Sequence, residues 1–237
     1  MISVCIATYN GERFIRQQID SIRTQLGQKD EIIVSDDGSS DSTLDVVRGI
    51  GDRRIRIVEG PCEGSPTRNF ENALCQAKGD YIFLADQDDV WKPGKVKTCM
   101  GWLKSYGCVV SNAEMADERL NVTDESYFKV HGTRPWKVYN TVWKNGYMGC
   151  CMAFTRKVLE AALPFPPDIP MHDIWIGNVA AYRAGGVKFI DDRLVMFRCH
   201  GDNTSFTAGK KSHNSAVRKA EIRWKVVKNL LMKHKAV

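Results

Sequence analysis

Apolar and polar positions follow two alternating periods through the first half of the chain. Short, nearly continuous apolar runs predict strands at residues 2–7, 31–35, 54–58, 80–85 and 107–111. Between them, apolar residues recur every three or four positions and predict helices at residues 12–26, 41–50, 66–78 and 93–106. Repeated strand–helix units are typical of a mostly parallel sheet with helices on both faces. The first half therefore predicts an α/β domain.

The second half of the chain has a less regular pattern. Residues 113–146 are polar and aromatic without a sustained period, which predicts a long excursion that shapes a pocket. The elements predicted after it are an apolar segment at 150–154, helices at 156–162 and about 173–184, and strands at 187–190 and 193–198. Prolines at positions 164, 166 and 167 predict the end of the first of these helices.

Polar residues follow three of the predicted strands at the point where each strand ends. These clusters are Thr8-Tyr9-Asn10, Asp36-Asp37-Gly38-Ser39 and Asp86-Gln87-Asp88-Asp89. Ligands of parallel α/β sheets bind beyond the carboxyl ends of the strands, which lie at a common edge. We therefore expect the three clusters to converge on one site at that edge.

The last of these clusters has the chemistry of a hard-cation site. Three carboxylates stand at the end of the apolar run 81–85, and carboxylate oxygens suit Mg²⁺ or Mn²⁺. Mg²⁺ is usually held by one or two protein carboxylates, while substrate phosphates complete its coordination. The cluster therefore predicts Mn²⁺ or Mg²⁺ as a cofactor and a substrate that carries a diphosphate.

Composition limits the class of protein and its compartment. The chain has 237 residues, of which 43% are hydrophobic and 26% charged, as expected for one soluble domain. The first residues lack the features of a signal peptide, and no apolar run reaches the length of about 20 residues needed to span a bilayer. The eight cysteines form no Cys-x-x-Cys pair, which disfavours zinc and disulfides. These features predict a cytoplasmic protein.

Positive charge is concentrated at the C-terminal end of the chain. Residues 210–237 contain nine Lys or Arg residues and one Glu, although the net charge of the whole chain is only +6. The rest of the chain is therefore slightly acidic. This distribution argues against a nucleic-acid-binding face over the domain.

The same C-terminal segment predicts an amphipathic helix from about residue 213. Its apolar stripe consists of Val217, Ala220, Trp224, Val227 and Leu231. Two interpretations stay open. The helix packs on the body of the protein or on a second copy of the chain, or it lies on an anionic membrane surface.

Six segments, in this order, carry a resemblance to a known family. They are Ile6-Ala7-Thr8-Tyr9-Asn10-Gly11, Ser35-Asp36-Asp37-Gly38-Ser39-Ser40-Asp41-Ser42-Thr43, Arg68-Asn69, Asp86-Gln87-Asp88-Asp89-Val90-Trp91, His172-Asp173-Ile174-Trp175 and Arg198-Cys199-His200-Gly201-Asp202-Asn203-Thr204-Ser205. Over residues 2–206 the chain resembles the family-2 inverting glycosyltransferases, particularly bacterial enzymes of O-antigen and capsular polysaccharide synthesis. The resemblance implies a single-domain A-type glycosyltransferase fold, with a Rossmann-like, mostly parallel sheet flanked by helices.

The resemblance implies that the first two segments bind the nucleotide. Thr8, Tyr9 and Asn10 would line its site, and Asp36 or Asp37 would accept a hydrogen bond from N3–H of the base. A carboxylate acceptor favours uracil or thymine over a base that lacks this donor.

Two common nucleotide motifs are absent, which affects how the phosphates are bound. There is no Gly-x-Gly-x-x-Gly after the first strand and no Gly-x4-Gly-Lys-Ser/Thr, so dehydrogenases and P-loop enzymes are disfavoured. Metal and basic side chains must then hold the diphosphate. By resemblance, Arg68 would face the nucleotide or its phosphates, and Arg198 would add positive charge beside them.

The resemblance also ranks the residues of the metal site. Asp88 would be the principal ligand and Asp86 the second carboxylate, which also lies near the donor. His200 would contact the metal or the diphosphate. Asp89 would be a structural partner of the turn rather than a third ligand.

Asp173 would be the general base by the same resemblance. Inverting transfer is a single displacement in which a carboxylate takes the proton of the attacking hydroxyl. His172-Asp173 stands where the family usually has an acidic pair, which leaves the role of His172 open. We expect Trp91, His172 and Trp175 in the acceptor region.

The leading hypothesis is an inverting, metal-dependent glycosyltransferase. It would move a sugar from a nucleoside diphosphate, with a UDP-sugar favoured and dTDP-rhamnose as the alternative, to a lipid-linked or polysaccharide acceptor. The other candidates are a sugar nucleotidyltransferase and a non-catalytic module that binds nucleotide sugars or glycans.

This hypothesis divides the chain into functional parts. We expect a catalytic domain at 1–206, with a nucleotide-binding half at 1–112 and an acceptor-binding half at 113–206, followed by a basic helical tail at 207–237. The tail would contact the inner face of the cell membrane, and a homodimer is its alternative use. Nucleic acid is not an expected partner.

Overall fold

Within residues 1–201 and 216–232, which the computed structural model describes, nine strands form one mixed sheet. The strands are β1 (Ile2–Thr8), β2 (Glu31–Asp36), β3 (Ile55–Glu59), β4 (Tyr81–Asp86), β5 (Val90–Trp91), β6 (Cys108–Ala116), β7 (Val122–Asp124), β8 (Met152–Thr155) and β9 (Val187–Arg198). The α-helices are α1 (Ile15–Arg23), α2 (Thr43–Arg48), α3 (Pro66–Cys75), α4 (Lys95–Leu103), α5 (Tyr127–His131), α6 (Arg156–Ala162), α7 (His172–Arg183) and α8 (Ala216–Met232). A π-helical turn, Tyr139–Trp143, and a 3₁₀ turn, Gly149–Cys151, precede β8.

The strand order across the sheet is β3-β2-β1-β4-β8-β6-β9-β5, with β7 beside β6. The four strands from β3 to β4 run parallel, whereas β8 runs antiparallel to both β4 and β6, and β9 runs parallel to β6. The double reversal at β8 gives β6 and β9 the direction of β1 and β4. The carboxyl ends of β1, β2, β4, β6 and β9 therefore lie at one edge, which we call the carboxyl edge.

The centre of the sheet is covered on both faces. The continuous apolar runs of β1, β2 and β4 are buried almost throughout, as expected for parallel strands between two helical layers. On α1, Ile15, Ile19 and Ile22 are completely buried, so the predicted helical stripe faces the core. Each such side chain stabilises the fold by about 1.5–3 kcal/mol relative to exposure. This rigid centre positions the loops at the carboxyl edge.

Several predicted boundaries differ from those in the structure. The strand predicted at 107–111 continues to Ala116, and the excursion after it contains β7, α5 and the π-helical turn rather than irregular chain alone. The two strands predicted at 187–190 and 193–198 are one strand, β9, whose register shifts opposite Asn112. Asp191 and Asp192 are exposed at this irregularity, which explains why the apolar pattern is interrupted there.

Helix α8 packs on the body, as one interpretation of its pattern predicted. Val226 is buried, and the Asn229 side chain donates to Asp168 Oδ1 at 2.7 Å. The predicted apolar stripe does not make this contact, because Val217, Trp224 and Leu231 are exposed. Among the described helices, none is long and apolar enough to cross a bilayer. Residues 202–205 of the last resembling segment, the predicted domain boundary at 206 and the start of the tail lie outside the described residues.

Candidate active site

The side chain of Gln87 joins the loops that follow β1 and β4. Its Oε1 accepts hydrogen bonds from Thr8 Oγ1 at 2.5 Å and Tyr9 N at 3.0 Å, and its Nε2 donates to Tyr9 O at 3.0 Å. Position 11 requires a glycine, because a Cβ on Gly11 would lie 2.3 Å from Gln87 Oε1. The structure thus brings the first and third predicted polar clusters together.

The loop after β2 meets the same edge and distinguishes the two predicted base-binding carboxylates. Asp36 accepts from two backbone amides of its own loop and from Ser39 Oγ at 2.5 Å, which occupies both carboxylate oxygens. Asp37 accepts one hydrogen bond, from Glu63 N to Oδ1 at 3.3 Å. Asn10 N donates to Ser39 Oγ at 2.9 Å and ties this loop to the first. Asp37 therefore retains the greater capacity to accept a further donor.

Two acidic residues of the β4 loop are partly exposed at the carboxyl edge. His200 Nε2 lies 2.8 Å from Asp88 Oδ2, although 112 positions separate the two residues. Burial, and then the negative charges of Asp88 and Asp173, raise the pKa of Asp86 to about 7. The structure therefore brings together the three residues predicted as metal ligands.

Asp89 has a different position from its neighbours. It is completely buried, and its Oδ1 accepts a hydrogen bond from Arg198 N at 3.0 Å. Burial, with the charges of Asp88 and Asp86, raises the pKa of Asp89 well above its usual value. Its Oδ2 accepts no hydrogen bond from the described residues. Because Asp89 fixes the turn from inside the protein, the structure agrees with the structural role expected for it.

The site has the donor set of a hard divalent cation. The carboxylates of Asp86 and of the enclosed Asp89 lie within 4.8 Å of each other and of the Cys150 thiol, which is a soft donor, and Asp88 with His200 offers a carboxylate and an imidazole nearby. Burial, and then the charges of Asp88 and Asp173, raise the pKa of Asp86, and a cation would stabilise the ionised carboxylates. The residues present therefore fit Mn²⁺ or Mg²⁺.

Arg198 was expected to place positive charge beside the donor, but its guanidinium is used inside the protein. Nε donates to Asp88 O at 2.7 Å, one terminal nitrogen donates to Gln17 Oε1 at 2.7 Å, and the other donates to Glu118 O. The group also lies 4.5 Å from the centre of the Phe14 ring. Arg198 thus holds the β4 loop in place, and its expected role of adding positive charge beside the diphosphate stays a prediction.

Asp173 lies in the first turn of α7, next to the acidic cluster. Burial raises the pKa of its carboxyl to about 7, against the lowering effect of backbone hydrogen bonds from Ile174 and Gly149. Its charge in turn contributes to the raised pKa of Asp86. A carboxylate with this pKa can accept a proton near neutral pH.

His172 is buried beside Asp173, and its Nε2 makes no hydrogen bond with the described residues. Its ring stacks on Phe70 with ring centres 4.1 Å apart, and burial lowers the pKa of the imidazole to about 3. Gly149 packs against this ring, since a Cβ there would lie 2.7 Å from His172 Nε2. His172 is therefore a neutral packing residue next to the backbone that binds Asp173, and its expected place in the acceptor region stays a prediction.

The two tryptophans predicted in the acceptor region are core residues. Trp91 is 2% exposed and packs on Phe83, with 5.5 Å between ring centres. Trp175 is completely buried, and its indole donates to Ala162 O at 2.9 Å. Side chains enclosed in this way cannot contact an acceptor, so both predictions were wrong.

Arg68 lies on α3, but its guanidinium is paired inside the protein. It binds Glu71 Oε2 at 2.5 Å and donates to Pro167 O at 3.2 Å. Its neighbour Asn69 contacts the β1 loop instead, with Nδ2 donating to Thr8 O at 3.2 Å. These contacts tie α3 to the loop before α7, and they do not support the predicted phosphate contact of Arg68.

Sequence reasoning missed two residues of the site, Gln87 and Cys150. Gln87 was given no role of its own, although a polar residue between carboxylates at the end of a strand is a signal that its amide has partners. Cys150 was assigned to the apolar core, and nothing in its sequence context distinguishes it from a core thiol.

Comparisons with known proteins agree with this architecture. A family described as glycosyl transferase family 2 matches residues 3–163 of the chain. The Escherichia coli protein UDP-Glc:alpha-D-GlcNAc-diphosphoundecaprenol beta-1,3-glucosyltransferase WfaP is 35% identical over 210 residues, which are 86% of this chain and 80% of WfaP.

Two solved structures share the fold. S. aureus TarS, in complex with UDP, has a TM-score of 0.65 and 19% identity, and the match covers 84% of this chain and 60% of that of TarS. Glucosyl-3-phosphoglycerate synthase from Mycobacterium tuberculosis, in complex with Mn²⁺, UDP and glucosyl-3-phosphoglycerate, has a TM-score of 0.62 and 20% identity, over 98% and 79% of the two chains. They confirm the predicted single-domain A-type fold, and the family match over most of the chain shows that this protein belongs to the family-2 glycosyltransferases.

Proposed function

We propose that this glycosyltransferase transfers a sugar with inversion from a nucleoside diphosphate to a lipid-linked or polysaccharide acceptor in bacterial surface glycan synthesis. The observation that carries the proposal is the position of Asp173, a buried carboxyl with a pKa near 7 beside the acidic cluster of Asp86 and Asp88. This arrangement provides a proton acceptor next to a site for a metal-bound diphosphate. A module that only binds sugars would need no such base.

We assign the nucleotide to the loops after β1 and β2. Asp37 is the favoured acceptor for N3–H of uracil or thymine, because Asp36 uses its oxygens within its own loop. Thr8, Tyr9 and Asn10 form the adjoining wall, on which the exposed Tyr9 ring faces solvent. This assignment favours a UDP-sugar and keeps dTDP-rhamnose as the alternative. It also supports residues 1–112 as the nucleotide-binding half and 113–206 as the acceptor-binding half.

The metal would be held by Asp88 and Asp86, with His200 beside them. These side chains are preferred to Asp89 because Asp89 is completely enclosed and bonded to Arg198 N. When bound, Mn²⁺ or Mg²⁺ supplies positive charge that stabilises the diphosphate as it leaves. The chain's own contribution is to fix the two carboxylates, through Arg198 on the backbone of Asp88 and through Gln87 between them.

Asp173 would take the proton in the displacement step. The acceptor hydroxyl oxygen forms a bond to the anomeric carbon while the bond from that carbon to the diphosphate oxygen breaks. The hydroxyl proton passes to the Asp173 carboxylate, and the electron pair of the broken bond leaves with the nucleoside diphosphate. Attack from the face opposite the leaving group inverts the anomeric centre.

A lipid-linked acceptor is supported by the relative WfaP, whose name specifies transfer to a sugar-diphosphoundecaprenol. An acceptor of this kind is anchored in a membrane, so we place the enzyme at the cytoplasmic face, with the basic tail as its contact. Homodimerisation through the tail is the alternative use of that segment.

A panel of nucleotide sugars, incubated with Mn²⁺ and a lipid-linked acceptor, tests the proposal. We expect release of a nucleoside diphosphate and a new glycan product, and we expect Asp88→Ala to abolish both while the protein still folds. Asp45→Ala is the matched control, since Asp45 is an exposed carboxylate on α2 whose side chain pairs with Arg48 on the same helix.

The other outcomes separate the remaining functions. Pyrophosphate exchange would indicate a sugar nucleotidyltransferase, and binding without turnover would indicate a non-catalytic module. Full activity of Asp88→Ala would refute the metal assignment.

A further inference from the structure

Helix α8 turns an apolar stripe away from the body of the protein. Val217, Trp224 and Leu231 are spaced seven residues apart and therefore lie along one side of the helix. Their exposed fractions are 78%, 65% and 64%. The opposite side, with the fully buried Val226, holds the helix on the protein. The stripe is thus not needed for packing within the chain.

The π-helical turn at Tyr139–Trp143 exposes a second apolar segment. Thr141 anchors the turn, because its hydroxyl donates to Asn178 Oδ1 on α7 at 2.6 Å. The next two side chains, Val142 and Trp143, face solvent and are 56% and 77% exposed. The anchored turn therefore presents the Trp143 indole on the outside of the protein.

The two apolar segments are neighbours in the structure. The Arg223 guanidinium donates to Trp143 O at 3.4 Å, and Trp224 follows directly in α8. This hydrogen bond joins Trp143, which carries one exposed indole, to Arg223, which precedes Trp224, the carrier of the other. We call the surface formed by Val142, Trp143, Val217, Trp224 and Leu231 the aromatic face.

The charges around the aromatic face indicate what covers it. Within the described part of α8, five basic residues accompany a single acid, Glu221. They are Arg218, Lys219, Arg223, Lys225 and Lys228. A second copy of this helix would bring like charges together, whereas an anionic lipid surface would complement them. Tryptophan side chains also favour the interface between lipid headgroups and acyl chains.

We propose that the aromatic face docks on an anionic lipid bilayer, with Trp143 and Trp224 at the level of the headgroups. The docking surface is then composite, because the π-helical turn contributes to it together with the basic helix. This docking proposal rests on the proposed function in one respect, which is that a lipid-linked acceptor lies at such a surface. The binding itself requires neither donor nor acceptor.

Sedimentation of the full chain with vesicles tests this proposal. The vesicles contain phosphatidylcholine alone or with about one third phosphatidylglycerol, and they carry no sugar acceptor. We expect binding to the anionic vesicles only, weakened by salt, and at least a tenfold loss of binding in the double variant Trp143→Ser/Trp224→Ser. The matched control is Trp102→Ser, which removes an exposed indole on α4 and leaves binding unchanged.

Two further measurements keep the result interpretable. Circular dichroism confirms that the double variant is folded, and Lys228→Gln, which removes a charge four residues from Trp224 on the side of the stripe, is expected to weaken binding to anionic vesicles. Nucleotide-diphosphate release with a water-soluble acceptor analogue should be the same in the double variant and the wild type, so loss of docking is distinguished from loss of catalysis.

Several outcomes would overturn the proposal. They are equal binding of the wild type and the double variant, no binding of the wild type to anionic vesicles, or a wild-type dimer in light scattering that the double variant dissociates. The last result would assign the aromatic face to a second copy of the chain.

Discussion

The raised pKa of the buried Asp173 carboxyl affects both the stability of the fold and the proposed proton transfer. Burial raises the pKa of its carboxyl from 3.8 to about 7, so the folded protein retains a proton that the unfolded chain releases between those values. The stabilising contribution of that proton is present below about pH 4 and is lost as the pH rises towards 7, at about 1.4 kcal/mol per unit. At neutral pH the ionised carboxylate of Asp173 is therefore destabilised by burial and readily accepts a proton.

The pH dependence of transfer follows from the same shift. Below pH 7 Asp173 is increasingly protonated, so kcat/KM is expected to fall about tenfold per pH unit, and to level off above pH 7. The measurement uses saturating Mn²⁺, which keeps Asp86 ionised. Asp173→Asn should still bind donor and should show a small residual rate without a step near pH 7. A wild-type rate that is unchanged at pH 5 would contradict the assignment of Asp173 as the base.

Gln87 shows that a residue without charge can determine the geometry of a charged site. Its amide makes three hydrogen bonds to Thr8 and Tyr9 while its neighbours in the chain, Asp86 and Asp88, face the proposed metal. Gln87 therefore links the proposed nucleotide wall directly to the acidic cluster, in addition to the pairing of β1 with β4 and the contact of Arg198 with Asp88.

Replacement of Gln87 tests this positioning. Gln87→Ala is expected to weaken donor binding by about tenfold, because one net hydrogen bond is worth about 1 kcal/mol and several are lost together. Calorimetry with the nucleoside diphosphate and Mn²⁺ measures the effect, and Gln28→Ala, which removes an exposed amide bonded to Arg53, is the control. If donor affinity is retained, or if it falls only together with the unfolding midpoint, Gln87 has no positioning role.

At the scale of elements, the sequence pattern predicted the parallel half of the sheet well. Strands β1, β2 and β4 are buried on both faces, and long apolar runs next to polar loop residues identify such strands directly. The insertion of β8 between β4 and β6 could not be predicted. Its four residues, Met-Ala-Phe-Thr, have the same apolar pattern in either strand direction, and pairing partners depend on distant chain.

The same limit explains the errors in the site. The position of the Arg198 side chain depends on its hydrogen bonds to Gln17, Asp88 and Glu118, which are far apart in the sequence. Polar and aromatic residues near a motif are typical of ligand contacts, yet Trp91 and Trp175 are packed in the core. The sequence indicated which loops form the site, but not which of their long side chains face inward.

Trp175 provides a test of the packing between α6 and α7. Its completely buried indole bonds to Ala162 O at the end of α6, so Trp175→Ala should lower the free energy of unfolding by about 3–5 kcal/mol. Denaturant unfolding measures the change. Trp102→Ala removes an exposed indole on α4 that lies over Lys188, and a loss below about 1 kcal/mol is expected there. Equal losses in the two variants would contradict the packing role.

At the scale of the whole molecule, the proposed catalytic and docking features occupy different parts of the fold. The carboxyl edge gathers the loops of β1, β2 and β4 with the start of α7, whereas the aromatic face is built on the outer side of α7 from α8 and the π-helical turn. Composition and charge predicted this separation between a nearly neutral body and a basic tail. They could not predict that residues 142 and 143 join the tail, because the contact depends on the folded position of α8.

Strand β9 carries Arg198 and leads to His200. It lies between β6 and β5, two strands that are synthesised much earlier. The contact of His200 with Asp88 spans 112 residues, and such distant contacts slow folding because a long loop must first be closed. During synthesis the acidic loop therefore emerges long before its last partners. A ribosome-bound chain that ends before residue 198 contains the loops of the proposed nucleotide site, but it lacks the arginine and the histidine that complete the proposed cation site.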